Sequence, residues 1–257
     1  MDLAAVIAIQ VLYAVASLVI VSAGLAVIFG MMKVINLAHG EFMMLGAYAT
    51  ILSMKAGLNL WLAIFIVAPV AVGAIGIVTS IMGNTTAGVS APLGSFSIGS
   101  YSVSGYTLVI IGVAVALALA LRFVLTRTQL GLIARGTMQN PAMADALGIS
   151  PSRVYSATFA VGAALSGLAG ALMAPLTGVV PTMGAAFVAK SFITVIGGGP
   201  AILTGLLGAS GLFGAINQLA TFATTPVLGE VALLLAAIVM LRLLPQGITG
   251  RFFKGSL

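Results

Sequence analysis

The chain has 257 residues, of which 61% are hydrophobic and 5% charged, and it carries a formal net charge of +6. A chain with so few charged residues cannot form a water-soluble surface, which excludes an ordinary globular protein. The composition instead indicates an all-α polytopic protein in a lipid bilayer. At roughly 20 residues per crossing, residues 1–257 allow about seven or eight transmembrane helices in one domain. The basic residues lie beside apolar runs, which is typical of orientation signals and not of nucleic-acid binding. Cysteine is absent, which excludes disulfides and thiol chemistry.

The first predicted span is Leu3–Phe29, between Asp2 and Lys33. Because cytoplasmic loops are enriched in basic residues, this charge pattern places the N-terminus outside, in the periplasm. The start lacks a basic region and a cleavage site, so we expect the first span to be retained. A second crossing is expected over Phe42–Met54.

Between these spans lie Asn36, His39, the single histidine of the chain, and Glu41. Ionisable groups beside membrane spans usually face a cavity or a partner. Three interpretations stay open: the side chains cap a helix start at the cytoplasmic interface, line a translocation path, or couple transport to protons. A zinc site needs three or four ligands, and the chain has no other histidine and no cysteine, so no metal is expected.

The next region does not fit a simple count of crossings. Residues 83–106 are uncharged and rich in Ser, Gly and Thr, so we expect an external loop, in which Phe96–Val103 forms a β-hairpin around Gly99-Ser100. Leu60–Met82 is long enough for one crossing, whereas reaching that loop from an external Lys55 requires two. Either a segment is re-entrant or a piece of chain is missing.

After a span at Tyr106–Leu125, residues 122–153 form the one long interval that is not membrane-like. Two short helices are predicted there, at Gln129–Met138 and Pro141–Leu147, because Asn-Pro favours a turn and Gly148 ends the second helix. We expect this helical hairpin in the cytoplasm.

The remaining predicted spans are Tyr155–Ala174, Ala185–Ile196, Ile202–Leu219 and Val227–Leu243, with a cytoplasmic C-terminus. The first of these carries small residues every fourth position, which favours close helix packing. Gly162, Ser166, Gly170 and Ala174 form this ridge.

Further polar residues stand in the last three spans. Lys190 either reaches an interface or faces a polar path, Asn217 belongs to a polar group near one span end, and Glu230 lies where a carboxylate suits the helix dipole. The run Gly197-Gly-Gly-Pro200 lacks the Lys-Ser/Thr ending of a phosphate loop and predicts a tight turn. We therefore expect no ATP hydrolysis by this chain, and no cofactor.

Three stretches carry a family resemblance: INLAHGEFMMLGAY within residues 30–48, GLIARGTMQNPAMADALGIS over 131–150, and VIGGGPAILTGLLGASG over 195–211, followed by residues 242–247. On these, the chain resembles the permease subunits of bacterial ABC importers of the branched-chain amino acid type, a family that includes urea and short-chain amide permeases.

The resemblance implies a multi-pass inner-membrane subunit with a second, similar permease, two cytoplasmic ATPase subunits and a periplasmic substrate-binding protein as partners. The hairpin would then dock on an ATPase through Arg135, Asn140, Pro141, Asp145 and Gly148. The family pattern places Glu-Ala-Ala before that glycine, whereas this chain has Ala142-Met143-Ala144 and lacks the glutamate. A loop and helix usual in the family are also missing near Gly76–Thr79.

The expected function is therefore translocation of a small polar solute, a branched-chain or related amino acid delivered by the periplasmic binding protein, driven by separate ATPases. The residues expected near the path are Asn36, His39, Glu41, Lys190 and Asn217. A urea or amide permease of the same family is the first alternative. An ion-coupled secondary transporter using His39 and Glu41 is an alternative of another class, and a membrane assembly subunit without its own pathway is the third.

Overall fold

A computed structural model describes residues 2–32, 38–71, 93–98, 101–177, 179 and 183–252. Except for one β-hairpin, its regular elements are helices. In chain order they are α1 (Asp2–Met32), α2 (His39–Lys55), α3 (Leu60–Leu62), a π-helical turn (Ala63–Val67), α4 (Ala68–Ala71), β1 (Ser95–Ile98), β2 (Tyr101–Ser104), α5 (Gly105–Arg127), α6 (Gln129–Gln139), α7 (Pro141–Ala146), α8 (Pro151–Thr177), α9 (Met183–Gly198), α10 (Ile202–Ala223), α11 (Pro226–Leu243) and α12 (Gly247–Phe252).

The helices confirm an all-α polytopic membrane protein. Within the described ranges, five helical stretches are long and apolar enough to cross a bilayer, namely Leu3–Met32, Gly105–Arg127, Pro151–Thr177, Ile202–Ala223 and Pro226–Gly250. Leu60–Val70 and Ala186–Gly198 are shorter apolar helices. The total of seven or eight spans stays a prediction, because residues 72–92, including Gly76–Thr79, lie outside the described residues.

The chain forms two compact units. The first comprises Met1–Ser22, Ala91–Ala116 and Lys190–Leu257, and the second comprises Ala23–Ser90 and Leu117–Ala189. The core of the first unit joins Leu18 to residues of α10 and α11, among them Phe213, Leu233 and Met240.

Two glycines with positive φ shape one corner of the first unit. Gly199, at φ 85°, ends the glycine run, and Gly247, at φ 73°, begins α12. A side chain on Gly247 would meet the backbone of Gly199, so the two segments touch through their main chains. The Thr249 hydroxyl donates to the Gly198 carbonyl at 2.6 Å and accepts from the Ala201 amide at 3.2 Å. The predicted tight turn is confirmed, and α12 is bonded to it.

The predicted β-hairpin is also confirmed. Strands β1 and β2 pair antiparallel, with Ser95 opposite Ser104 and Phe96 opposite Val103. The turn residues Gly99 and Ser100 lie outside the described residues, and the external location of the hairpin stays a prediction.

The second unit is built around the contact between α2 and α8, whose backbones approach without intervening side chains. A Cβ placed on Gly46 would collide with the carbonyl of Gly167, and one on Gly170 would collide with the carbonyl of Met43. Gly162 and Ser166 similarly lie against Gly24 of α1. The predicted ridge is therefore confirmed as a packing surface.

Helix α2 is not among the strongly apolar helices, and its surroundings explain why. Most of its residues are buried by other parts of the protein, including His39, Met43 and Tyr48. A helix enclosed by protein can carry polar residues that would be costly against lipid. This is why the sequence HGEFMMLGAY at the start of α2 can be less hydrophobic than the neighbouring spans.

We predict that Gly170→Ala lowers the free energy of unfolding by about 2 kcal/mol or more, because the added methyl group must push α2 away from α8. Gly112→Ala, also in a long helix, is the matched control: nothing lies within 4 Å of a Cβ there. It should change stability by about 1 kcal/mol at most. Thermal unfolding in detergent measures both, and equal melting temperatures would contradict the packing described here.

Candidate functional site

The helical hairpin that joins α5 to α8 has the predicted form. Helices α6 and α7 are separated by Asn140, whose backbone is extended and whose side-chain oxygen accepts a hydrogen bond from the Met143 amide at 3.0 Å. Pro141 occupies the first turn of α7, where its missing amide proton is not needed. Gly148, at φ 81°, ends the structure, and its amide donates to the Asp145 carbonyl at 2.9 Å.

The hairpin is anchored at its base and exposed at its tip. Gly131 packs against the backbone of Leu125, and the Arg135 side chain is half-buried, with Nε donating to the Gly131 carbonyl at 3.3 Å. Asn140, Pro141, Asp145 and Gly148 are exposed. All five predicted coupling residues thus lie on one small structure, four of them accessible to a partner.

Apolar side chains are also exposed at this tip. Met143, on α7, is 59% exposed, and Leu147, the residue that follows α7, is 70% exposed. Helix α7 has six residues and is too short to cross a bilayer. Exposed apolar residues outside the lipid indicate a protein contact when they cluster with polar neighbours. The sequence predicts a contact through the polar residues of the hairpin, and the exposure of Met143 and Leu147 becomes visible only in the structure.

His39 lies at the start of α2 and is completely buried. Its Nδ1 is 2.8 Å from the hydroxyl oxygen of Ser166 on α8. The same hydroxyl is 2.9 Å from the Gly162 carbonyl, to which it donates its single proton. His39 therefore donates from Nδ1 to Ser166, and this bond joins α2 to α8.

The remaining residues of the histidine cluster are separated from this bond. The residue preceding α2 is Ala38, and no side chain caps the helix, so His39 does not act as a helix cap. Glu41 lies in the first turn with an exposed side chain. Asn36 lies outside the described residues.

The first unit contains a polar contact that the sequence analysis missed. Lys190 Nζ of α9 lies 2.7 Å from Glu230 Oε1 of α11, and the two side chains are 29% and 59% exposed. The sequence predicts that Lys190 reaches an interface or a path and that Glu230 interacts with the helix dipole, but it does not predict their pairing. Their opposite charges are the available signal, but a sequence separation of 40 positions does not show that they meet.

Asn217 lies in the same unit, on α10. A Cβ placed on Gly229 would lie 2.8 Å from its backbone oxygen, so α10 and α11 are in close contact one residue before Glu230. His39 and Glu41 belong to the second unit, whereas Lys190 and Asn217 belong to the first. A shared path along these residues therefore stays a prediction. Among the described residues, no three potential metal ligands come together.

Comparison with known proteins shows similarity to one family along most of the chain. The family model of the branched-chain amino acid transport system permease component matches residues 7–88 and 80–244. The probable branched-chain amino acid transport permease protein LivH of Methanocaldococcus jannaschii is 26% identical over 284 residues, covering 92% of this chain and 90% of the relative. No solved structure matches the chain at a significant level.

Bacterial relatives have similar names. The high-affinity branched-chain amino acid transport system permease protein LivH of Salmonella typhimurium is 26% identical over 279 residues, covering 90% of this chain and 91% of its own. The protein of the same name from Escherichia coli K12 is 29% identical over 134 residues, covering 52% of this chain and 44% of its own.

The comparisons also concern the membrane crossing that the sequence lacks between Leu60 and the predicted external loop at 83–106. The alignment with the archaeal relative is 284 positions long, whereas this chain has 257 residues and contributes 92% of them. Several tens of aligned positions therefore have no counterpart in this chain. The family model matches in two segments that meet at residues 80–88. The alignment length does not locate these positions, but the overlap of the two family segments lies close to Gly76–Thr79, where a missing piece is expected.

We predict that Ser166→Ala destabilises the protein by about 1–3 kcal/mol, because the buried His39 ring loses this hydrogen-bond partner. Ser53→Ala is the matched control in α2: its buried hydroxyl bonds only the Ala49 carbonyl of its own helix, at 2.8 Å. That change should cost less than about 1 kcal/mol. Melting temperatures in detergent distinguish the two, and equal losses would show that the bond between α2 and α8 contributes nothing.

Proposed function

This chain belongs to the branched-chain amino acid transport permease family, and from that premise we propose that it is the translocating subunit of an ATP-driven importer for branched-chain or related amino acids. Membership makes it a multi-pass membrane transport subunit, not an enzyme. Its relatives bear the names of branched-chain amino acid permeases, which supports that substrate class.

The exposed hairpin of α6 and α7 is the observation that carries the ATP-driven part of the proposal. It combines apolar residues, Met143 and Leu147, with polar ones such as Asp145, on a structure held rigid by the Asn140 cap and the Gly148 turn. A short, stiff, partly apolar projection suits docking into a groove of another protein. A separate ATPase is the partner that a chain without a nucleotide loop requires.

Movement of the hairpin has a direct route into the membrane helices. Helix α8 begins three residues after Gly148, and both hairpin helices contact it. In turn, α8 touches α2 through Gly46, Gly167 and Gly170. An ATPase that displaces the hairpin would therefore move α8 and α2 together as a rigid body.

The proposed assembly contains a second permease subunit, two cytoplasmic ATPase subunits and a periplasmic binding protein, in the bacterial inner membrane. The hairpin and the C-terminus face the cytoplasm, and the N-terminus and the loop at 83–106 face the periplasm. The concentration of arginines around the hairpin supports this orientation: Arg122, Arg127, Arg135 and Arg153.

Ion-coupled transport through His39 and Glu41 has less support. A residue that carries protons must alternate between water and the path, whereas His39 is fully buried and bonded to Ser166. A urea or amide permease of the same family remains the closer alternative, because it would use the same hairpin.

Transport in liposomes tests the proposal. Liposomes holding the permeases, the ATPases and internal ATP should accumulate labelled leucine when the binding protein is supplied outside, and not when ATP is omitted. Accumulation that ignores ATP but collapses with the proton gradient would assign the chain to secondary transport. Accumulation of urea in preference to leucine would move it to the amide branch.

We predict that the double change Met143→Ala and Leu147→Ala lowers recovery of the ATPase subunits with the purified permease by about tenfold, because it removes most of the exposed apolar surface at the tip. Leu119→Ala is the control, since Leu119 is 62% exposed on the spanning helix α5. Quantitative co-purification measures both. Unchanged recovery of the ATPases with the double variant would show that the hairpin is not the docking element.

A further inference from the structure

The ion pair of Lys190 and Glu230 stands in an unusual setting. Lys190 lies near the middle of α9, within the apolar helix Ala186–Gly198, and Glu230 lies in the first turns of α11, within the span Pro226–Gly250. Charged groups are costly in hydrocarbon, and a carboxylate that is 59% exposed cannot face lipid tails. This side of the first unit therefore faces water, the headgroup region or protein, and not lipid tails.

The backbone around the pair is fixed, while the charged groups remain accessible. The hydroxyl of Ser191, the next residue after Lys190, is completely buried and donates to the Val21 carbonyl of α1 at 3.3 Å. On the other side, Gly229 packs against Asn217 and Thr221 of α10. Both charges are thus presented from anchored helices, as binding groups require.

We propose that Lys190 and Glu230 form an exchangeable ion pair that binds the carboxylate and the ammonium of a zwitterionic α-amino acid during translocation. The inference rests on the proposed transport function and names the chemical feature of the solute that is recognised. The lysine ammonium takes the carboxylate of the solute, and the glutamate carboxylate takes its ammonium.

Exchange of partners explains why two charges are present. Inside a membrane protein, where charges are only partly hydrated, removing one partner of an ion pair is unfavourable because the other charge is left alone. A zwitterion carries one group of each sign on the same carbon atom, so it replaces both partners at once. A simple cation or anion replaces only one, and urea or an amide replaces neither.

The empty site is electrically neutral, which also has a consequence for leakage. A lone lysine or glutamate in a path would attract counter-ions, whereas the closed pair presents no net charge. The pair thus disfavours both inorganic ions and uncharged amides. Because the pair recognises the two charged groups that all α-amino acids share, discrimination among aliphatic side chains must come from other residues.

The position of the pair agrees with the proposed orientation. In that orientation α11, which begins at Pro226, runs inward, and Glu230 in its first turns lies in the outer half of the membrane. A solute delivered from the periplasm would reach this half first. Polar groups of α10, including Asn217 and Thr221, lie close to the same end of α11.

The assembled importer in proteoliposomes provides the test, with labelled leucine as the probe. In the double variant Lys190→Met and Glu230→Met, ATP-dependent uptake should fall by about tenfold or more, because neither charge of the solute finds a partner. Hydrolysis of ATP stimulated by the binding protein should remain within about twofold of wild type, since the docking surfaces are intact. Lys55→Met, at the exposed end of α2, is the charge control and should leave uptake unchanged.

Each alternative outcome has a defined meaning. If the wild-type complex shows no ATP-dependent uptake, the proposed function fails; if the wild type transports and the double variant transports equally well, only the exchangeable pair fails. A double variant that recovers activity lost by Lys190→Met alone would reduce the pair to a link between α9 and α11, and would overturn the site.

A milder variant controls for the possibility that the double variant does not fold. Glu230→Gln keeps an oxygen that accepts from Lys190, so the helices stay linked, but it removes the negative charge. Leucine uptake should again fall by about tenfold. An assembled Glu230→Gln complex with wild-type uptake would contradict the proposal, and failure of both variants to assemble would assign the pair to folding and contradict it as well.

Discussion

The second unit depends on direct backbone contact between α2 and α8, which is possible because glycines lie where the two helices cross. In a bilayer, helices gain little from hydrophobic burial against one another, so their association relies on close van der Waals contact and hydrogen bonds. Gly46 and Gly167 face each other and let the two backbones touch, and the hydrogen bond between His39 and Ser166 lies in the same interface. Without this contact the half-polar helix α2 would face lipid.

Close contact also determines how force can spread. Helix α8 begins three residues after the exposed hairpin ends and is packed along α2 over much of its length. Interfaces of this kind move as blocks, because backbone against backbone leaves no flexible side chains to absorb a displacement. A displacement of the hairpin is therefore expected to move α8 and α2 together, because both the hairpin and the glycine contact between these two helices are rigid.

Local chemistry was readable from the sequence, whereas distant pairing was not. The Asn140-Pro141 turn, the Gly148 stop, the β-hairpin and the small-residue ridge each depend on neighbours within a few positions, and the structure contains them all. The bond between His39 and Ser166 spans 127 residues, and the Lys190–Glu230 pair spans 40. Such contacts depend on how helices are placed in space, which hydrophobic periodicity does not encode.

The facing glycines also restrict how this protein can evolve. When a large residue opposes a small one, a gain of volume on one helix can be offset by a loss on the other. Gly46 and Gly167 allow no such trade, because neither can become smaller. Second-site suppressors of a substitution at Gly46 should consequently map to residues that let α8 shift as a whole, and the two codons should each be intolerant of change independently of the other.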